Sequence, residues 1–137
     1  MPLLLVRHGR AGDRSRWRGD DRERPLDEGG VEQAHALVGV LATFPIEAIL
    51  ASPYRRCVET VEPLAAARGL PLDLRAELGE ERQFPEGVDL VHSLADRNVV
   101  VCGHGGLQSA LVEPPKWRKG ETFVVDGRLR VAATIRA

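Results

Sequence analysis

Leu3-Leu4-Leu5-Val6-Arg7-His8-Gly9 is the stretch that decides the fold, because four apolar residues lead directly into Arg-His-Gly. A short apolar run that stops at glycine predicts a buried strand, although periodicity alone also allows a helical segment. The polar pair then lies at the carboxyl end of the strand, where ligands bind in open α/β sheets. A neutral imidazole there can act as a nucleophile, and the adjacent guanidinium can bind an anion. The tripeptide alone does not decide this, since a lone His is more often structural or a metal ligand.

The length and composition are those of an ordinary globular protein. The chain has 137 residues, of which 43% are hydrophobic and 28% charged, and we expect one domain over residues 1–137. The formal net charge of −1 favours neither a nucleic-acid polymer nor a membrane surface as a partner. No apolar run suits a signal peptide or a membrane span, which makes the cytoplasm the expected compartment. Cys57 and Cys102 form no C-x-x-C pattern and are expected to be buried free thiols.

Further apolar runs predict strands that alternate with helices. The predicted strands cover residues 46–51, 70–74 and 98–102, and Asp126-Gly127 predicts a C-terminal hairpin over 123–135. The predicted helices cover 28–43, 52–69, 88–95 and 107–112. This alternation predicts an α/β fold with three layers, in which a mostly parallel central sheet is flanked by helices.

Two of the predicted helices have recognisable starts. Asp27 is a candidate N-cap for the first. Ser52 and Pro53 suggest an N-cap and a first helical residue for the second, which would place Arg56 in its first turn. The free N–H groups and the macrodipole of that turn favour an anion. Pro63 is expected to kink or divide this helix.

A second predicted strand ends in Gly103-His104-Gly105-Gly106. If the sheet is parallel, its strand tips gather His8, His104, Arg7 and Arg56 at one edge. The natural occupant of such a site is a phosphoryl group, because Arg binds its oxygens with two hydrogen bonds. A metal ion is the competing use of two His, but it would normally need nearby carboxylates or thiolates and would be repelled by the guanidiniums. We therefore expect neither a metal nor another cofactor.

Residues 10–25 form a polar stretch with six Arg and one large aromatic residue. No helical or alternating period is visible, which indicates a loop. Its charges can be solvated and mutually compensated, or the loop can face a substrate larger than a simple phosphate monoester. The candidate substrate contacts are Arg10, Arg14, Arg16 and Trp17, together with Gly105 of the second strand tip.

Four segments of the chain resemble motifs of the histidine phosphatase superfamily, which includes the phosphoglycerate mutases. Residues 5–9 read L-V-R-H-G, residues 25–34 are similar to L-T-x-x-G-x-x-Q-A, residues 52–60 are similar to S-x-x-x-R-A-x-x-T, and residues 100–106 end in G-H-G-G. Each motif is weak alone, but the four occur in the family's order and together are specific. Asp27 replaces the usual Thr, and the last thirty or so residues carry no motif.

The resemblance implies a phosphoglycerate mutase-like fold and roles for individual residues. His8 would be the nucleophile that takes the phosphoryl group, and water would then hydrolyse the phosphohistidine. The oxygens of the transferred group would be bound by Arg7, Arg56 and His104.

The resemblance also implies a general acid in an L-x-E pattern that follows a strand. Leu78-Gly79-Glu80 fits this pattern, and Glu81 is the alternative. The segment between Glu80 and His104 is short and lacks the insertions with which larger relatives cover a sugar or glycerate. This argues for an open site and against a mutase, which must retain its bisphosphorylated intermediate.

The sequence therefore predicts a metal-independent phosphatase of the histidine phosphatase type. Its size resembles small bacterial phosphohistidine phosphatases, whereas the Arg-rich loop and residues 61–65 resemble phosphatase domains fused to Nudix hydrolases in actinobacteria. A phosphohistidine protein and a small phosphorylated metabolite or nucleotide are accordingly both candidate substrates. A pseudoenzyme that only binds phosphorylated ligands and a phosphoglycerate mutase are the alternatives. The sequence does not indicate an oligomeric state.

Overall fold

The computed structural model describes residues 2–137 and is built on one six-stranded sheet. The strands lie in the order β3-β2-β4-β1-β5-β6. Strands β1 to β4 pair in parallel, whereas β5 runs antiparallel to both β1 and β6. The predicted mostly parallel sheet with a C-terminal hairpin is confirmed. The strand bounds are β1 Leu3–Arg7, β2 Ala48–Ala51, β3 Leu72–Leu74, β4 Val99–Gly103, β5 Thr122–Val125 and β6 Val131–Ile135.

Helices cover both faces of the sheet and give the predicted three layers. They are α1 Glu28–Val40, α2 Arg55–Arg68 and α3 Val88–Ser93. The core around the sheet is divided into two buried clusters, one on each face, because alternate side chains of a strand such as β1 point to opposite faces. Leu4 and Val6 pack in one buried cluster with α1 and α2. Leu3 and Leu5 pack in the other, with α3 and the 3-10 turn Gly105–Ala110.

The first helix begins as predicted. The Asp27 carboxylate accepts a hydrogen bond from the N–H of Gly30 at 2.8 Å, which satisfies one of the free N–H groups of the first turn. The helix ends at Val40, earlier than the predicted residue 43.

The predicted start of α2 is wrong. The helix begins at Arg55 rather than at Pro53, and the Ser52 hydroxyl caps no helix but contacts His104 at 2.9 Å. Arg56 nevertheless lies in the first turn. Pro63 does not divide the helix, which is continuous to Arg68. Packing of the fully buried Val61 and Leu64 on either side outweighs the one backbone hydrogen bond that proline removes.

The hairpin loop is longer than the predicted two-residue turn. Asp126 accepts hydrogen bonds from the N–H groups of Arg128 and Arg130, at 2.9 and 3.0 Å, so that β6 begins only at Val131. The side chain of Asp126 thus stabilises a wider loop than the dipeptide pattern suggests.

The sheet brings three strand tips to one edge. Arg7 of β1 is level with Gly103 of β4, and Cys102 of β4 is level with Ala51 of β2. Because β5 is antiparallel, the residues that precede it, 117–121, reach this same edge and bond to Arg7 and His8. Residues 2–137 include no helix with the length and apolar character needed to cross a membrane.

Candidate active site

His8 lies immediately after β1 and is almost completely buried, with 5% of its surface exposed. Its Nδ1 is 2.8 Å from the carbonyl oxygen of Gly9. A carbonyl can only accept, so the hydrogen lies on Nδ1 and the lone pair lies on Nε2. Burial is the main cause that lowers the pKa of His8 to about 3; the contact with the Gly9 carbonyl opposes this shift, and the nearby His104, Arg56 and Arg7 add to it. The imidazole is therefore neutral at physiological pH and presents a nucleophilic nitrogen.

His104 faces His8 from the tip of β4. The ring centroids are 5.5 Å apart in an edge-to-face arrangement. The Nε2 of His104 contacts the Ser52 hydroxyl, which itself accepts from the N–H of Tyr54. The hydroxyl can then donate to Nε2, which places the His104 hydrogen on Nδ1. This Nδ1 lies 3.8 Å from the Glu80 carboxylate.

Three buried nitrogens around His8 have no hydrogen-bond acceptor within residues 2–137. They are Nε of Arg7, Nε of Arg56 and Nδ1 of His104. Leaving a buried donor unpaired costs about 1–3 kcal/mol, so such groups mark a site for a bound partner. Oxygen atoms of an anion placed against His8 could satisfy all three.

Arg7 and Arg56 occupy different positions relative to the cavity at His8. Arg7 lines it, and its Nη1 donates to the Trp117 carbonyl at 2.6 Å. Arg56 is fully buried behind the site, and its terminal nitrogens contact the Asp21 carbonyl and carboxylate at 2.9 and 3.1 Å. The sequence placed both guanidiniums at the strand edge, but it contained no signal that Asp21 would hold Arg56.

The structure distinguishes the two candidate acids by position. Glu80 lines the cavity and is held by Arg14, whose Nη2 lies 3.0 Å from both carboxylate oxygens. Glu81 turns away, and its carboxylate accepts a hydrogen bond from the Tyr54 hydroxyl at 2.5 Å. That bond holds the pKa of Glu81 below its usual value. Glu80 is thus the carboxyl group within reach of a phosphate on His8.

The cavity has a volume of about 160 Å³ and is strongly cationic. Gly105 forms part of its wall, where its backbone packs against the Arg7 guanidinium and a Cβ atom would lie 3.2 Å from Cζ. Arg14, another candidate substrate contact, also lines this cavity. Its full lining is Arg7, His8, Gly12, Arg14, Arg24, Glu80, Gly105 and Lys119.

The other candidates of the Arg-rich loop lie elsewhere. Arg10 is exposed and lies against the start of α1, near Gly29. Arg16 and Trp17 line a neighbouring cavity of about 230 Å³, where Trp17 is 37% exposed. The two cavities share the residues Gly12 and Arg24. Only part of the loop therefore faces His8.

Sequence reasoning missed three charged residues of the site. Arg24 is buried, donates to the carbonyl of Ala11 at 2.7 Å and pairs with Asp21 at 2.9 Å. Burial alone would raise the pKa of Asp21, but the bond from Arg24 and the charges of Arg56 and Arg14 outweigh it and lower that pKa. Lys119 belongs to the C-terminal part of the chain, which carries no motif. The antiparallel direction of β5, expected from the predicted hairpin, was the one feature of the sequence that could have placed Lys119 near His8. The sequence shows Arg24 and Asp21 as charged residues of the loop, but it does not show that they form an ion pair.

The sequence also led to expectations about a metal site and about the two cysteines. Within residues 2–137, no three His, Cys, Asp or Glu side chains are grouped so that they could hold a metal ion. Cys57 and Cys102 are buried free thiols, as predicted.

Comparisons with known proteins agree with this geometry. Residues 3–86 match the family described as the histidine phosphatase superfamily (branch 1). An 8-oxo-(d)GTP phosphatase from Mycolicibacterium smegmatis is 54% identical over 93% of this chain, which spans only 45% of that relative's length.

Among solved structures, the protein histidine phosphatase SixA, complexed with tungstate, has a TM-score of 0.79 at 19% identity and covers 99% of this chain and 97% of its own. A mycobacterial glucosyl-3-phosphoglycerate phosphatase has a TM-score of 0.75, also at 19% identity, with 99% of both chains covered. At this identity the two structures establish a shared fold.

Proposed function

Because this chain belongs to the histidine phosphatase superfamily, we propose that it is a metal-independent phosphatase acting through a phosphohistidine on His8. The observation that carries the proposal is the state of His8. Its imidazole is neutral, its tautomer leaves Nε2 free, and three unpaired buried donors surround it. This arrangement suits a nucleophile facing an anion.

In the first step, Nε2 of His8 forms a bond to phosphorus while the bond from phosphorus to the leaving oxygen breaks. Glu80 gives its proton to that oxygen as the general acid. Arg7 and His104 donate hydrogen bonds to the phosphoryl oxygens. Arg56 adds its charge and its free Nε from behind.

In the second step, water attacks the phosphohistidine, and Glu80 accepts a proton from that water. The bond between Nε2 and phosphorus breaks, orthophosphate leaves and His8 returns to its neutral state. The cycle uses two displacement steps and no group beyond the side chains of the site.

The phosphoenzyme is the test of this proposal. In an assay containing excess EDTA, wild-type protein given a ³²P-labelled aryl phosphate and quenched in alkaline detergent should carry base-stable, acid-labile label. His8→Ala should carry none. His35→Ala, which changes an exposed His of α1, is the matched control and should label like wild type. Label on His8→Ala would assign the nucleophile elsewhere, and activity that EDTA abolishes and zinc restores would contradict the metal-free mechanism.

We further propose a nucleotide as the substrate, in preference to a phosphohistidine protein. Support comes from the cavity at Trp17, which adjoins the His8 cavity through Gly12 and Arg24 and offers an aromatic face and the apolar side chains of Ala11 and Leu26. The named activity of the mycobacterial relative points to the same class.

Trp17→Ala tests the nucleotide assignment. It should lower kcat/KM for a nucleoside diphosphate by about tenfold, since a base loses a stacking partner worth about 1–3 kcal/mol, and should barely affect an aryl phosphate. Equal losses on both, or faster turnover of a phosphohistidine peptide by wild-type protein, would contradict it.

A further inference from the structure

The cavity at His8 carries more positive charge than a single phosphate monoester can neutralise. Four cations, Arg7, Arg14, Arg24 and Lys119, line it together with one carboxylate, that of Glu80. His8 contributes no charge because it is neutral. A phosphate monoester dianion would leave positive charge uncompensated in a partly enclosed space, where charges interact strongly.

Within residues 2–137, two cations of this lining, Arg7 and Lys119, are held by no carboxylate, and the Arg7 guanidinium already donates to the Trp117 carbonyl. Arg14 is engaged by Glu80 and Arg24 by Asp21. Within residues 2–137, no carboxylate oxygen lies within 4 Å of the Lys119 ammonium. Partial burial lowers the pKa of Lys119, and the charges of Arg7, Arg24, Arg14 and Arg56 lower it further. The ammonium therefore lies in a strongly positive environment, which an added anion would relieve.

The backbone beside Lys119 is fixed to the nucleophile strand. The N–H of Gly120 bonds to the carbonyls of both Arg7 and His8, at 3.1 and 3.0 Å. The Gln33 side chain donates to the carbonyl of Lys119 at 3.1 Å. Gly120 has φ +83°, and a Cβ there would approach Gln33 to 2.6 Å, so glycine is required at this close contact. Lys119 is thus presented at a set distance from His8.

We propose that Lys119, with Arg24 beside it, forms a second anion subsite that binds the non-transferred phosphate of a diphosphate substrate. This inference rests on the proposed phosphatase function and names its substrate class. The terminal phosphoryl group bonds to Nε2 of His8 as its bond to the bridging oxygen breaks. The bridging oxygen takes the proton of Glu80 and leaves on the inner phosphate, which Lys119 holds.

The test compares two substrates that differ only by one phosphate, phenyl diphosphate and phenyl phosphate. Lys119→Met should lower kcat/KM for phenyl diphosphate by about tenfold or more, mainly through KM, and change that for phenyl phosphate less than about twofold. Lys119→Arg should restore most of the loss. Lys116→Met, at an exposed lysine of the same segment, is the matched control and should behave as wild type. Equal losses on both substrates, or none on either, would overturn the subsite.

A binding measurement separates this inference from the phosphatase proposal. By calorimetry, Lys119→Met should weaken methylenediphosphonate by about tenfold and leave phenylphosphonate unchanged, whether or not the protein turns over any substrate. Wild-type protein that hydrolyses neither phenyl compound but shows this binding difference would refute the phosphatase function and support the subsite. Unchanged affinity for methylenediphosphonate in the variant would refute the subsite even in an active enzyme.

Discussion

His8 shows how a single buried side chain links chemistry to stability. Its folded-state pKa of about 3 lies below the ordinary value of 6.5 that it has in the unfolded chain. Between these values the unfolded chain binds a proton that the folded protein does not. Its contribution to folding is therefore complete above pH 6.5 and declines as the pH falls. The same burial that keeps Nε2 of His8 free of a proton makes the fold sensitive to acid.

This linkage predicts a pH-dependent difference between wild-type protein and His8→Asn. From pH 7.5 to pH 5, wild type should lose up to about 2 kcal/mol of unfolding free energy relative to the variant, because one pKa unit corresponds to about 1.36 kcal/mol. Urea unfolding of both proteins at the two pH values measures the difference. Parallel stability profiles would show that His8 titrates normally in the folded state.

The two adjacent carboxylates of the site should have different effects on catalysis. Glu80→Gln should reduce kcat/KM for an alkyl phosphate by about 10²–10⁴, the usual contribution of a general acid, and reduce it much less for p-nitrophenyl phosphate, whose leaving group needs no proton. Glu81→Gln is the matched control. It weakens the bond from Tyr54, because an uncharged amide oxygen replaces the carboxylate as acceptor, but it should not change the dependence on the leaving group. If the loss of activity depended on the leaving group in Glu81→Gln and not in Glu80→Gln, Glu81 would be the general acid instead of Glu80.

Among the elements, α1 depends on a close crossing with the segment that follows β1. The carbonyl of Arg10 accepts the N–H of Asp27, and a Cβ at Gly30 would lie 2.0 Å from that carbonyl oxygen. The two backbones can therefore meet only at glycine. This contact fixes the entry of the Arg-rich loop relative to the His8 strand tip.

Two glycine substitutions in α1 should act in opposite directions. Gly30→Ala should lower the unfolding free energy by at least about 1–3 kcal/mol, the usual cost of overpacking. The atoms that the new Cβ would meet belong to the Arg10 backbone, which cannot move aside as a side chain can. Gly39→Ala, where a Cβ meets nothing within 4 Å, should raise it by up to about 1 kcal/mol through better helix propensity. Urea denaturation of both variants measures this. Stabilisation by both to a similar extent would mean that propensity, and not the crossing, determines the effect.

Element boundaries also show where sequence patterns fail. Asp27 was predicted as an N-cap because an Asx side chain before an apolar period has a local partner, the N–H of Gly30. Ser52 has the same local signal, but its hydroxyl contacts His104, which lies 52 residues away. The polar contacts of an active site can thus override capping rules, which consider only neighbouring residues.

At the scale of the whole molecule, the sheet was predictable and its cationic cavity was only half predictable. Apolar runs and their polar ends placed His8 and His104 at one edge, because parallel strands share an edge. The ion pair between Asp21 and Arg56 joins residues that are far apart in the sequence. The position of Lys119 in the cavity depends on the direction of β5. Neither feature leaves a local pattern in the sequence. The predicted substrate contacts divided in the same way, with Arg14 inside the cavity and Arg10 outside it.

The antiparallel direction of β5 has an evolutionary consequence. It brings residues 117–121 to His8 from the far end of the chain, whereas His8 and His104 directly follow β1 and β4. The main contribution of that segment to the packed interior is Trp117. Under the proposed function, related proteins can therefore vary this stretch and change which compounds they accept, while the reaction on His8 stays the same. Substrate range and the proposed chemistry at His8 are thus carried by separate parts of the fold.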